Sequence, residues 1–206
     1  MLPRQSPDAV RRLFFAVLLP PELRATVAAA GQPLREVVGL RWTRPEALHL
    51  TVRFLGVCGP DRAAAARVVG AEVAAGVGPF EVTLGGLGVF PTLARPSVVW
   101  VGVVGGAREL TTLHTRLATL DEEADAAPFA AHLTVARVQQ RASPSARAAI
   151  GWAVAGAPYQ VYGRFVATHL ALMRSELGNA GPRYTPVASF ALSGPPSVGL
   201  HEGRPG

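Results

Sequence analysis

A tetrapeptide that occurs twice constrains this fold more than any other stretch of the chain. His49-Leu50-Thr51-Val52 returns as His132-Leu133-Thr134-Val135, 83 residues further on (132 minus 49), a separation about the size of half a small domain. Successive side chains of an extended strand point to opposite faces, so each copy sets an imidazole and a threonine hydroxyl on one face and Leu and Val on the other. The Leu and Val can anchor a core. A strand duplicated for packing alone would need only those two, so the retained His and Thr argue for a duplicated site. Two imidazoles brought together supply a proton donor and a proton acceptor that both work near neutral pH.

The rest of the chain repeats around these motifs. Residues 11–19 read as a buried strand, and Pro20-Pro21-Glu22 as a helix start with proline in the first turn and a carboxylate at the positive end of the dipole. That helix runs toward Val38, with a kink or early end expected at Gly31 and Pro33. Residues 42–47 form a turn into a motif strand at 48–57, and alanine-rich 62–75 is a helix by propensity. Residues 80–90 and 97–104 read as a strand pair bounded by Pro91 and Pro96. Leu110, Leu113, Leu117 and Leu120 form the buried stripe of a helix ending near Ala124, with the acidic run from Asp121 to Asp125 as its solvated end. The second motif strand spans 129–138, a short helix runs from Ser143 to about Trp152, and late strands lie at 159–165, 168–175 and 184–192. Each half thus carries a strand, a helix, the motif strand and another helix. The expected fold is α+β, one bilobal domain over residues 11–192 with flexible termini at 1–10 and 193–206.

Composition removes several function classes. With 206 residues, 49 % of them apolar, the chain can bury a substantial core. It has no apolar run near the ~18 residues that cross a bilayer and no secretory signal pattern, so no membrane partner and a cytoplasmic location are expected. Cys58, the single cysteine, excludes an internal disulfide and a cysteine zinc cluster. All 20 basic residues are arginine. Without lysine there is no Walker-type phosphate loop, no Schiff base and no lysyl-nucleotide intermediate. The net charge of +6 favours a polyanionic partner.

The chain resembles the two-histidine (2H) phosphoesterases, most closely the bacterial and archaeal RNA 2′,3′-cyclic phosphodiesterases, also called 2′-5′ RNA ligases. The resemblance lies in Arg12-Leu13-Phe14-Phe15-Ala16-Val17, Trp42 and Pro45, the first motif extended through Phe54 to Gly56, Phe90-Pro91, Val99 to Gly102, the second motif extended to Arg137, Ser175 and Tyr184. It implies two pseudo-symmetric lobes, each an antiparallel sheet with helices outside, facing across a central cleft with one motif on each wall. By the same resemblance, His132 is the general base toward water and His49 the general acid toward the ribose 3′ oxygen. Thr51, Thr134 and Arg137 bind the phosphate, and Phe54 stacks on a base. Phe54 and Arg137 each lie five positions after their histidine, an odd offset that leaves them on the wrong face of a regular strand. A bulge or the strand's end must turn Arg137 inward.

Neither metal nor cofactor is required by that chemistry. The implied activity is hydrolysis of RNA 2′,3′-cyclic phosphate ends to 2′-phosphates, with reversible 2′-5′ ligation as a possible side reaction. RNA 3′ ends or small cyclic nucleotides are the expected partners, and a monomer with no obligatory protein partner is expected. Two other classes compete. A non-catalytic RNA-binding module would keep the basic cleft and hydrolyse nothing. A zinc hydrolase using His49 and His132 lacks a nearby Asp, Glu or Cys ligand in either motif. Small cyclic nucleotides and 2′-5′ oligonucleotides are alternative substrates for the same two histidines. Of the other histidines, His114 reads as a helix-flank residue, His169 as a structural strand residue and His201 as part of the tail.

Overall fold

A computed structural model describes residues 11–31, 34–120, 128–178 and 181–195. The acidic run at 121–125 and the terminal stretches 1–10 and 196–206 lie outside the described residues. In chain order the elements are β1 (Arg11–Leu18), α1 (Pro21–Ala29), β2 (Leu40–Trp42), β3 (His49–Cys58), α2 (Pro60–Ala75), β4 (Phe80–Thr92), β5 (Arg95–Gly105), α3 (Ala107–Arg116), β6 (His132–Val138), α4 (Pro144–Ala155), β7 (Val161–Ala167), β8 (His169–Gly178) and β9 (Gly181–Ala191). The strand, helix, motif strand, helix unit is therefore present twice, as β1-α1-β3-α2 and β5-α3-β6-α4.

The fold is α+β, and every strand pairing is antiparallel. One half of the sheet runs β3-β1-β8-β9 and the other β7-β4-β5-β6, with β2 added to β6. The two halves meet edge to edge through a single residue pair, Leu50 opposite Leu133. The sheets of the two lobes thus join into one curled sheet, and the residues that join them are those immediately after the two histidines. Both leucines are essentially inaccessible, at 1 % and 0 % exposure, and full burial of a leucine is worth about 1.5–3 kcal/mol. The helices tie the halves together a second time. α1, from the first unit, packs on β7 of the second half, while α3, from the second unit, packs on β3 of the first.

Local chemistry accounts for the element ends. α2 and α4 each begin on a proline, whose missing N–H costs nothing in the first turn. Ser143 caps α4 by accepting from the Ala146 amide at 3.1 Å. α1 stops at Ala29, before Gly31, which abuts the Trp42 ring. β4 and β5 run through Pro91 and Pro96 to the hairpin tip instead of stopping at them, because those prolines sit opposite each other at the strand ends, where a ladder donor is dispensable. Ser193 and Gly194 continue past β9, donating to the carbonyls of Ala74 and Val77 at 3.2 and 3.1 Å. One large core takes in Phe15, Leu50, Leu84, Leu110, Leu133 and Leu170, and a smaller cluster of Phe14, Ala16, Ala171 and Met173 lies on the other face of the β1-β8 pair.

Candidate active site

The two motif strands are built alike beyond their four shared residues. Both begin with the same exposure sequence: half-buried His, buried Leu, half-buried Thr, then two buried residues in succession, Val52-Arg53 and Val135-Ala136. Two consecutive inward residues break strict alternation, and the pairing shows why. On β1, Ala16 faces Thr51 and the next partner, Phe15, faces Arg53, which leaves Val52 as an extra residue. On β5, Trp100 faces Thr134 and Val99 faces Ala136, leaving out Val135. Each motif strand bulges at its valine. The slip of one residue returns position +5, Phe54 in one strand and Arg137 in the other, to the face that carries the histidine.

That face lines a cleft of 510 Å³ in which His49, Thr51, Phe54, His132, Thr134 and Arg137 all take part. All six residues expected from the sequence therefore come together, including the two whose offset pointed the wrong way. Phe54 is 67 % exposed, which is unusual for phenylalanine. Gly56, at φ +66°, follows a second irregularity opposite Leu13 and also lines the cleft.

Each imidazole is oriented by its own strand. His49 Nδ1 donates to the carbonyl of Ala47 and His132 Nδ1 to that of Ala130, both at 2.8 Å. The same i−2 bond on both sides fixes the tautomer and leaves Nε2 as the nitrogen available to a ligand. Aromatic rings hold the imidazoles in place. Phe14 and Tyr184 flank His49 at centroid distances of 5.0 and 4.8 Å, and Phe90 meets His132 edge-on at 4.9 Å with Trp100 at 6.5 Å. Burial pushes the pKa of both histidines below the ordinary value. The backbone bonds to Ala47 and Ala130 oppose that shift, and the Arg137 charge adds to it on both rings. His132 lowers His49 further. His49, His132 and Arg137 all line the same cleft.

Three more arginines, Arg12, Arg41 and Arg44, line the cleft, and none of its described lining residues is Asp or Glu. Sequence reading missed these arginines. The signal was faint: Arg12 and Phe14 share one face of β1 by simple alternation. Phe14 and Tyr184 entered only as residues that carry the resemblance, without a role, and both rings abut His49. His114 is more than a helix flank. From α3 its Nδ1 reaches the carbonyl of Val52, the bulge residue, at 2.8 Å, and its Nε2 faces Nη1 of buried Arg53 at 3.0 Å. The ring stacks on Phe129, in the segment that leads into the second motif, at 4.3 Å. Among the described residues no three His, Cys, Asp or Glu side chains are grouped as a metal site requires, and no helix is long and apolar enough to cross a membrane.

The chain has counterparts among known proteins. The family model described as the 2′-5′ RNA ligase superfamily matches residues 19–179. A Thermus thermophilus protein named RNA 2′,3′-cyclic phosphodiesterase is 32 % identical over 196 residues, covering 89 % of this chain and 91 % of the relative. The crystal structure of TT0787 from Thermus thermophilus superposes with a TM-score of 0.73 at 30 % identity, over 89 % of this chain and 98 % of that one. Escherichia coli LigT complexed with phosphate gives a TM-score of 0.69 at 26 % identity, over 89 % and 98 % of the two chains. With the family model spanning most of its length and a 32 % identical relative aligned almost end to end, the chain belongs to the 2′-5′ RNA ligase superfamily.

Proposed function

We propose that the protein hydrolyses RNA ends bearing a 2′,3′-cyclic phosphate to 2′-phosphate ends, by general acid-base catalysis between His49 and His132 and without a metal. The observation that carries this reading is the matched pair of imidazoles, each with Nδ1 bonded to its own backbone and both lining one cleft with Arg137. The name of the Thermus relative and the phosphate complex of the Escherichia coli structure support the substrate class.

In the proposed reaction Nε2 of His132 takes a proton from water as the water oxygen attacks phosphorus. The bond from phosphorus to the 3′ oxygen breaks, and His49 supplies the proton that this oxygen needs. The products are a 2′-phosphate and a 3′-hydroxyl. Arg137 meets the charge building on the equatorial oxygens with a planar fork of donors, and the Thr51 and Thr134 hydroxyls add two more. Phe54, exposed at the rim, stacks on the terminal base, a contact worth about 1–3 kcal/mol that tolerates any base. The anionic phosphate also offsets the Arg137 charge that lowers both histidine pKa values, so binding the substrate favours the one-proton state the reaction uses.

The direct test is incubation with an oligoribonucleotide ending in a 2′,3′-cyclic phosphate, in EDTA, from about pH 5 to about pH 9, with product ends identified by mass and by their resistance to a 3′-phosphate-specific phosphatase. A 2′-phosphate product is expected, and His49→Ala or His132→Ala each lowers kcat by about 10²–10⁴. No turnover anywhere in that range, or turnover only with added metal, rejects the proposal.

A further inference from the structure

β2 is three residues long, yet its placement is fixed. Thr43 donates to the Val135 carbonyl and Gln139 to the Gly39 carbonyl, both at 2.8 Å, on either side of the pair Arg41 opposite Arg137. Directly opposed residues of an antiparallel pair have Cβ atoms about 4.5–5.5 Å apart, and like charges there destabilise the sheet. Both arginines line the active cleft, and both also line a second cavity of 540 Å³ that continues past them between Ser97, Val138, Gln139 and Gln140. The described lining of neither cavity includes a carboxylate to offset the two charges. Two opposed guanidiniums between the active cleft and a hydroxyl- and amide-lined cavity suit a ligand with more than one phosphate.

We propose that Arg41 and the second cavity form a further subsite for the internucleotide phosphate next to the terminal one. Arg137 serves the reacting phosphate and Arg41 its neighbour in the strand, so the preferred ligand is an oligoribonucleotide end and not a mononucleotide. This rests on the reading of the cleft given above.

The test measures equilibrium binding of a 3′-phosphorylated trinucleotide and of a nucleoside 3′-monophosphate to wild type and Arg41→Gln. Wild type is expected to favour the trinucleotide by about tenfold or more, and Arg41→Gln to erase most of that preference. The substitution should also lower the slope of log affinity against log salt for the trinucleotide by about 0.7, the loss of one phosphate contact on a single strand. Relief of the like-charge pair should leave the melting temperature equal to wild type or higher. A preference that ignores Arg41 overturns the subsite, as does an equal loss on both ligands accompanied by a lower melting temperature. Turnover of the cyclic-phosphate forms is read separately. Absent turnover with an Arg41-dependent preference rejects the proposed activity and keeps the subsite, and turnover with no such preference does the reverse.

Discussion

Arg53→Met isolates the support beneath the first motif. Arg53 is 4 % exposed, and its Nη1 lies 3.0 Å from His114 Nε2 and 3.5 Å from the His114 carbonyl. Methionine keeps an unbranched apolar stem in the same space, so the change removes the guanidinium without opening a large cavity. A hydrogen bond to a charged group contributes about 1.5–3 kcal/mol, and a buried acceptor left without its donor, here on neutral His114, costs about 1–3 kcal/mol. Relief from burying the guanidinium returns part of this, so a net loss of about 2–4 kcal/mol is expected. For a chain of this size each kcal/mol moves the melting temperature by about 2–4 °C, which sets an expected fall of roughly 10 °C in thermal unfolding. His114 also holds the bulge through the Val52 carbonyl, and the bulge aims Phe54 into the cleft. Hydrolysis of a cyclic-phosphate oligonucleotide, measured at a temperature where the variant is fully folded, should therefore show a lower kcat/KM. A melting temperature within about 1 °C of wild type, or lost stability with kcat/KM intact, refutes this account of the support.

Two further predictions follow from other parts of the structure. Burial and Arg137 put both histidine pKa values below the ordinary 6.5, and under the proposed acid-base reaction kcat/KM follows the one-proton state of the free pair. Its maximum should thus lie below pH 6.5 and fall as pH rises, and Arg137→Gln should shift the optimum upward as well as lowering the rate; an optimum that stays put in the variant contradicts this electrostatic coupling. Gly151→Ala should destabilise by about 1–3 kcal/mol, although alanine in a helix interior normally gains up to about 1 kcal/mol over glycine. A Cβ on Gly151 would overlap the Leu93 carbonyl oxygen at the β4-β5 turn, and an increase in melting temperature would show that the turn yields freely.

The sequence made the elements of the site legible where a single strand decides them. Alternation within each tetrapeptide put His and Thr on one face and Leu and Val on the other, and the burial of Leu50 and Leu133 follows that pattern. What lies between strands was less visible. A period of two says nothing about a skipped partner, so an inward turn at Arg137 could be required, by a bulge or by the strand's end, but the bulges at Val52 and Val135 could not be located. The single Leu50-Leu133 junction depends on how two separate strands meet, and the pairing of Arg41 with Arg137 on a register across 96 residues (137 minus 41). His114 lies 61 positions from Arg53. Its place on the edge of a leucine stripe told which helix face it occupies, not what that face covers.

The duplicated frame also explains how a nearly twofold site can act on a substrate with no symmetry. Both bulges deliver position +5 to the cleft, but that position is Phe54 in one strand and Arg137 in the other, and position +4 is buried Arg53 in one and Ala136 in the other. The imidazoles, their backbone bonds and their aromatic neighbours are matched across the cleft, so they alone would accept a phosphoester in either direction. In the proposed complex a ring on one wall and a cation on the other remove that ambiguity, since a base gains by stacking on the ring and a phosphate by pairing with the guanidinium. Under the proposed reaction, substrate polarity then decides which imidazole meets water and which meets the departing oxygen. On that reading, the division of labour proposed for His49 and His132 is written less in the histidines than in the two residues that follow them at the same distance.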